Sequence, residues 1–164
     1  MLVLRTFFIG LMQENLNLPP CNLSIQIRDN NEYVFDIVRK KYVRLTPEER
    51  VRQTFVHFLV NEKSCPVSLM STETQMKLFN TIKRSDIIIY DKNSNPLAIV
   101  ECKAPDVKIT QEVFTQIARY NINVKARFLI VTNGINHYCV KLNRMNNKYE
   151  FLQEIPNYFQ FFSE

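Results

Sequence analysis

The chain has 164 residues, 46% of them apolar and 23% charged, with a formal net charge of +5, which is enough for one domain with a real core and excludes an intrinsically disordered class. Glycine is confined to Gly10 and Gly134, so a glycine-rich phosphate loop of the G-x-x-x-x-G-K-[ST] kind is excluded and no ATP partner is expected. The four cysteines form no C-x-x-C pair and the histidines number two, which argues against a zinc site and for reduced thiols in a cytoplasmic protein.

Residues 1–22 read as an N-terminal extension or linker ahead of a single domain over 23–164. The apolar stretch 1–12 is interrupted by Arg5, lacks a small-residue cleavage site and is too short to span a bilayer, so no membrane partner is expected. Met12 is read as the true start, or residues 1–12 as a loosely attached piece that contributes little to stability. Ser24–Arg28 and Tyr33–Val38, joined by Asp29-Asn30-Asn31, predict a hairpin, and Arg39–Arg44 a basic connector. Thr46 as N-cap, Pro47 at N1 and Glu49 in the capping-box position start a helix. Val51, Phe55, Phe58 and Leu59 recur at helical spacing, and the helix ends near Asn61. Val67–Gln75 reads as a strand with Glu73 near its end, a surface residue foremost and an extra acidic neighbour of the hairpin acids as the alternative. Thr110 caps a second helix, 111–123, with an apolar stripe of Val113, Ile117 and Tyr120. Arg127–Thr132 is a strand buried on both faces, followed by strands over His137–Leu142 and Tyr149–Gln153. The aromatic tail Tyr158, Phe159, Phe161, Phe162 either docks on the sheet or faces a partner.

Between them lies the stretch from Arg84 to Lys103. Two apolar runs, Ile87–Tyr90 and Leu97–Val100, flank a polar loop containing Asp91, Asn93, Ser94, Asn95 and Pro96, which predicts a β-hairpin. Folded symmetrically about Asn93 and Ser94, it pairs Tyr90 with Leu97 and sets Asp86 opposite Glu101. Glu101 and Lys103 share a face, and Cys102 points away. Two opposed carboxylates repel unless a cation or a proton lies between them. A hard divalent cation is held by one or two carboxylates, waters and substrate phosphates, so Asp86, then Glu101-x-Lys103, fits a phosphodiester-cleaving centre. A plainer arrangement also fits: Asp86 caps a turn, and Glu101 and Lys103 form a solvated ion pair.

On the first helix, Glu49 is explained by the capping box, whereas Glu48 sits at the edge of the buried face without such a role and is the better placed to reach the hairpin acids. Gln116 and Tyr120 lie at i, i+4 on the second helix. From spacing alone they read as a surface Gln beside a buried Tyr. The basic clusters Arg39-Lys40-Lys41 with Arg44, Arg50 with Arg52, and Lys83-Arg84 suit a solvated surface and a polyanionic footprint alike.

The pieces V-R-L-T-P-E-E-R-V-R-Q (43–53), R-S-D-I-I-I-Y (84–90), I-V-E-C-K-A-P (99–105), Q-I-A-R-Y-N (116–121) and V-T-N-G (131–134) occur in one order across roughly residues 33–143. They resemble the PD-(D/E)-x-K nuclease superfamily, and within it the N-terminal nuclease domain of type I restriction enzyme R subunits, in a stand-alone form. The resemblance implies an α/β, restriction-endonuclease-like fold with a central mixed sheet flanked by helices. It implies a Mg²⁺-dependent endonuclease acting on nucleic acid, DNA foremost, with Mn²⁺ as an alternative cofactor. Asp86, Glu101 and Glu48 would be metal ligands, Lys103 would act on the attacking water, and Gln116, Tyr120, Arg84 and Arg52 would face nucleic acid. The rival expectation is a nucleic-acid- or partner-binding module that keeps the fold without efficient cleavage. A protein partner or a second copy is left open in either case.

Overall fold

The structure is a computed structural model that describes residues 16–78, 81–143, 145, 146 and 148–162, with the backbone alone between 74 and 84. The expectations for residues 1–12 lie outside the described residues. Two sheets and two long helices are present among those described. The smaller sheet orders β1 (Ile25–Arg28), β2 (Asn31–Asp36) and β3 (Lys41–Arg44), all antiparallel. The predicted hairpin is there, but the basic connector is a correction: after a turn it becomes a third strand. Tyr42 stands opposite Phe35, and their rings meet edge to face at 5.3 Å, which gives this short polar segment an apolar reason to pair.

α1 (Pro47–Asn61) begins where Thr46, in extended backbone, accepts the Glu49 N–H through Oγ1 at 3.1 Å. A 3₁₀ turn over Val67–Leu69 then precedes β4 (Met70–Leu78), so the predicted strand at Val67 starts three residues late. The main sheet orders β4, β5 (Thr81–Tyr90), β6 (Pro96–Cys102), β7 (Phe128–Thr132), β8 (His137–Asn143) and β9 (Lys148–Leu152). Its pairs are antiparallel except β6–β7, which are parallel and joined by the crossover helix α2 (Gln111–Val124). Thr110 has the extended backbone of an N-cap but makes no side-chain capping bond.

Val51, Phe55, Val56 and Leu59 of α1 pack with Ile87, Ile89, Val100 and Ile130 into one apolar layer. Val113 and Ile117 of α2 pack with Ile99, Leu129, Val131 and Val140 into the other. The alternation along β6 decides which is which, Val100 and Cys102 going to the α1 layer and Ile99 to the α2 layer. The aromatic tail docks: Tyr158 and Phe161 are buried, Phe161 against Phe128 at 4.8 Å, while Phe159 and Phe162 stay exposed. Gly134 turns β7 into β8 at φ +82°, a left-handed backbone that favours glycine, and an added Cβ would have to push aside a Leu16 methyl carbon 2.7 Å away. No helix among the described residues is long and apolar enough to cross a membrane. The fold is mixed α/β and restriction-endonuclease-like, with a central mixed sheet flanked by helices.

Candidate functional site

The β5–β6 ladder runs Ile87↔Val100, Ile88↔Ile99, Ile89↔Ala98, which carries Asp86 to the position opposite Glu101. Only the loop end departs from the symmetric hairpin, because Tyr90 pairs with Pro96 across a bulge and not with Leu97. Asp91 is the cause: its Oδ1 accepts the N–H groups of Asn93 and Asn95 at 2.8 and 2.7 Å, which winds the loop into a compact turn. Pro96 then joins the strand without an N–H to offer.

Asp86 and Glu101 are both buried. Asp86 Oδ2 accepts the Cys102 backbone N–H at 2.6 Å, and Oδ1 accepts from Arg52 Nη2 at 2.7 Å. Glu101 Oε1 receives Lys103 Nζ at 2.8 Å, with Gln116 Nε2 at 3.4 Å. Its other oxygen, Oε2, is buried and has no hydrogen-bond partner among the described residues. Burial, and then the neighbouring charge of Asp86, push the Glu101 carboxyl up to about 7, against the pull of Lys103. Burial works against the Lys103 ammonium, but Glu101, followed by Glu48 and Asp86, outweighs it and holds the pKa above the ordinary lysine value.

Of the two helix glutamates, Glu48 is the one that feels this pair. Its carboxyl is raised by burial and then by Asp86, and lowered by Arg52 and Lys103. Glu49 is buried, and its carboxylate is engaged by side chains and not by the cap alone. It accepts from Arg39 at 3.0 Å, Gln53 at 2.7 Å and Arg52. Arg52, expected to face nucleic acid, is 5% exposed and directs its terminal nitrogens to carboxylates. Its Nη2 serves Asp86 at 2.7 Å and Glu48 at 3.5 Å, while Nη1 serves Glu49 and lies 3.6 Å from Glu73. A guanidinium therefore stands where Glu48 and Asp86 would otherwise approach each other. Burial opposes its charge, yet Asp86 and Glu49 raise its pKa further above the arginine range. Gln116 and Tyr120 are brought to the site together, Gln116 Nε2 lying 3.5 Å from the Tyr120 hydroxyl, and Tyr120 is 4% exposed. Arg84 stands opposite Gln75 in the β4–β5 ladder, and its side chain lies outside the described atoms.

Three side chains join the network around Arg52: Arg39, expected in a basic connector; Glu49, expected to serve the capping box; and Glu73, expected on the strand surface foremost and beside the acids as the alternative. Glu73 sits between the pairs Thr72↔Ile87 and Thr74↔Ser85, on the β4 side of Asp86, with φ +51°. A left-handed glutamate in a strand costs about 1–2 kcal/mol. The turn sends its carboxylate to Arg39 at 2.7 Å and towards Arg52. No sequence rule marks such a residue, because only glycine advertises positive φ.

The donor set is all oxygen and lysine, which suits a hard cation and not zinc. Among the described residues no group of three or more His, Cys, Asp or Glu side chains is placed to hold an ion by itself. A pair such as Asp86 and Glu101 meets the requirement of Mg²⁺, which keeps several waters and takes one or two carboxylates. The unpartnered Glu101 Oε2 is the atom free to serve it.

An α/β domain with two opposed acids and a lysine at the end of a strand is thus what fold and site define together. The family model for the type I restriction enzyme R protein N terminus matches residues 47–156, and the chain belongs to that family. It is similar in fold to a solved fragment described as an HsdR subunit of a type I restriction enzyme from Vibrio vulnificus YJ016, with 17% identity and a TM-score of 0.52 over 71% of this chain. The match spans 25% of that longer chain. Comparison with curated proteins finds no match.

Proposed function

We propose that the domain over residues 23–164 hydrolyses phosphodiester bonds in nucleic acid, DNA foremost, as a metal-dependent, ATP-independent endonuclease of the cytoplasm. The observation that carries this reading is Glu101 Oε2, a buried carboxylate oxygen with no donor, set beside a second buried acid and a lysine. Family membership supports the reaction class. Asp86 and Glu101 would hold Mg²⁺, with Mn²⁺ as a substitute, and Glu48 would join them from α1. Such an ion, when bound, supplies positive charge to the scissile phosphate and lowers the pKa of a water molecule.

The chain's own residues do the rest. Lys103 keeps its proton, so it acts as a donor that orients the attacking water and stabilises charge on the phosphate oxygens. Arg52 and the Cys102 N–H hold Asp86 in one orientation by binding both its oxygens. Gln116 of α2 adds a second, longer contact to the Glu101 oxygen that Lys103 binds.

A second reading keeps the fold as a nucleic-acid-binding module with little cleavage. It is favoured by the bonds that already engage both oxygens of Asp86 and by the guanidinium between Asp86 and Glu48. The test is incubation of purified protein with supercoiled plasmid and with single-stranded DNA in Mg²⁺, Mn²⁺ or EDTA. Nicking with metal and none with EDTA is the expected result. Binding without cleavage under every condition would replace the nuclease reading by the module.

A further inference from the structure

Arg52 is the cation that α1 contributes to the acidic centre, and its position bears on how many ions the centre can hold. Its Nη2 stands 2.7 Å from Asp86 Oδ1 and 3.5 Å from Glu48 Oε1, so one nitrogen serves the acid of β5 and the acid of α1 together. Its Nη1 is bound by Glu49, which Gln53 and Arg39 hold in turn at 2.7 and 3.0 Å. The side chain is buried, and its Nε has no hydrogen-bond partner among the described residues. Both ends of the guanidinium are thus spent on carboxylates. Swinging it aside would leave a buried charge without them, which is costly.

The lone pairs left for an ion are few. Asp86 accepts Arg52 on Oδ1 and the Cys102 N–H on Oδ2. A carboxylate oxygen can accept twice, so each keeps room for one further bond. Glu101 Oε1 carries Lys103 at 2.8 Å and Gln116 at 3.4 Å, whereas Oε2 has no donor among the described residues. Glu101 is 5% exposed, so bulk water does not serve that oxygen either. Centres that use two metal ions set them about 3.5–4 Å apart, each with its own carboxylates. Here one ion would find Asp86 and Glu101 Oε2. A second would need Asp86 and Glu48, and Arg52 already bridges those two.

We propose that Arg52 is a resident cation in the place of a second metal ion, so that the centre takes one divalent cation, beside Glu101 Oε2, and not two. The inference rests on the metal-dependent reading of the centre and adds its stoichiometry and the residue that sets it. Glu48, whose charge reaches Glu101, counts toward that same ion. Arg52 is then a positioning residue. A fixed guanidinium supplies between Asp86 and Glu48 the positive charge that a second ion would bring, without recruitment from solution.

The test is titration of the full chain with Mn²⁺ in the absence of nucleic acid, the free ion being read by electron paramagnetic resonance. Wild type is expected to bind one Mn²⁺ per chain, counting ions within about tenfold of the tightest. Arg52→Met removes the charge and keeps an apolar stem, and it should bind two. Arg52→Lys keeps a cation there and should stay at one. Glu101→Gln should weaken the single ion by at least about tenfold. A cooperative melting transition shows that Arg52→Met folds. If it does not fold, Arg52→Met with Glu49→Gln removes the cation and one of its acids together, and is likewise expected to bind two. A residue that only stabilised the fold would change the melting temperature and not the count. Two ions in wild type, or one in a folded Arg52→Met, overturns the inference. Two ions in wild type together with metal-dependent cleavage leaves the nuclease reading standing. One ion without cleavage of any substrate upholds the inference and removes the nuclease reading, and no ion at all removes both.

Discussion

Asp36 and Glu101 are both buried acids, at 0% and 5% exposure, and their surroundings drive their ionisation in opposite directions. Burial alone would raise both. At Asp36 the effect is overcome: Oδ1 accepts the N–H groups of Val38 and Arg39 at 2.8 and 2.9 Å, Oδ2 accepts Arg39 Nε, and the carboxyl is held below its ordinary value. At Glu101 one oxygen has Lys103 and a distant Gln116, the other has nothing, and the carboxyl is pushed up to about 7. Two arginines join the two ends. Arg39 binds Asp36, Glu49 and Glu73, and Arg52 binds Glu49, Glu48 and Asp86 and approaches Glu73. The Asp36 carboxylate is fully served where the three-stranded sheet meets α1, although Gln53 Oε1 and Arg52 Nε nearby lack partners among the described residues, whereas the Glu101 carboxylate falls short at the end of β6. An acid whose lone pairs are served holds structure together, whereas one left short of donors is a place for a cation from outside.

The largest effect that would sharpen this contrast is on catalysis. Asp86→Asn keeps the shape and the Cys102 contact but removes the charge opposite Glu101, and Lys103→Ala removes the proton donor. Each is expected to lower metal-dependent cleavage by about 10²–10⁴-fold, read as initial rates of plasmid nicking. Metal-free affinity for nucleic acid should stay the same or rise in Asp86→Asn, since a group that repels phosphate is gone. Undiminished cleavage in both variants would show that the activity belongs to a contaminant.

At the structural end, Asp36→Asn leaves the half-buried Arg39 with Glu49 and Glu73 alone and puts a neutral amide in place of the buried carboxylate. The expected loss is about 1–3 kcal/mol, measured by urea unfolding. Cleavage per folded molecule should survive, because Asp36 touches neither Glu101 nor Lys103. A midpoint equal to wild type would break the comparison, for it would mean that the bonds around Asp36 do not outweigh its burial.

Much of the candidate centre was legible in the sequence because strands alternate and turns have their own chemistry. The spacing of Asp86, Glu101 and Lys103 about Asn93 and Ser94 was enough to set the acids opposite each other, and the single slip, at Tyr90, came from a loop wound by the Asp91 side chain. The helix starts were readable for the same reason, as local rules acting within four residues. What could not be read was anything that depends on partners far along the chain. Glu49 obeys the capping rule in its backbone, yet its carboxylate answers to Arg39, ten residues earlier in the turn between β2 and β3. Arg52 looks like a surface cation until Asp86, 34 residues on, is folded against it. Glu73 adopts a backbone that nothing in its neighbours announces.

A pH series sharpens the contrast further. With its folded pKa near 7 and an ordinary value of 4.5, Glu101 binds its proton more tightly in the folded state. Its contribution to stability is full below about pH 4.5 and is lost as pH rises through 7. In EDTA, Glu101→Gln lacks this loss, so its stability relative to wild type should improve by roughly 1–3 kcal/mol between pH 5 and pH 8. Asp36→Asn should show no such slope between pH 5 and pH 8, where a depressed carboxyl contributes in full, and should approach wild type only as pH falls below the unfolded carboxyl's value. Parallel stability curves for Glu101→Gln and wild type would mean that Glu101 is not the under-compensated group.

The smallest effect belongs to Glu48, which lies between the two kinds of acid. Its side chain is 45% exposed and 3.5 Å from Arg52, a pairing that solvent screens, so Glu48→Gln should change stability by no more than about 0.5 kcal/mol. Its charge nevertheless raises Glu101 and is itself raised by Asp86, which places it within electrostatic reach of the centre. Neutralising it removes one of the negative charges that would attract a cation there, while leaving Asp86 and Glu101, which suffice for Mg²⁺ when the ion is abundant. The expected result is a Mg²⁺ requirement raised by roughly tenfold with near-normal cleavage at saturating metal, as a coupling of about 1.4 kcal/mol would give. A titration of cleavage rate against Mg²⁺ for Glu48→Gln and wild type reads this directly. Superimposable titrations would remove Glu48 from the centre and leave the pair Asp86 and Glu101 as its full acid complement.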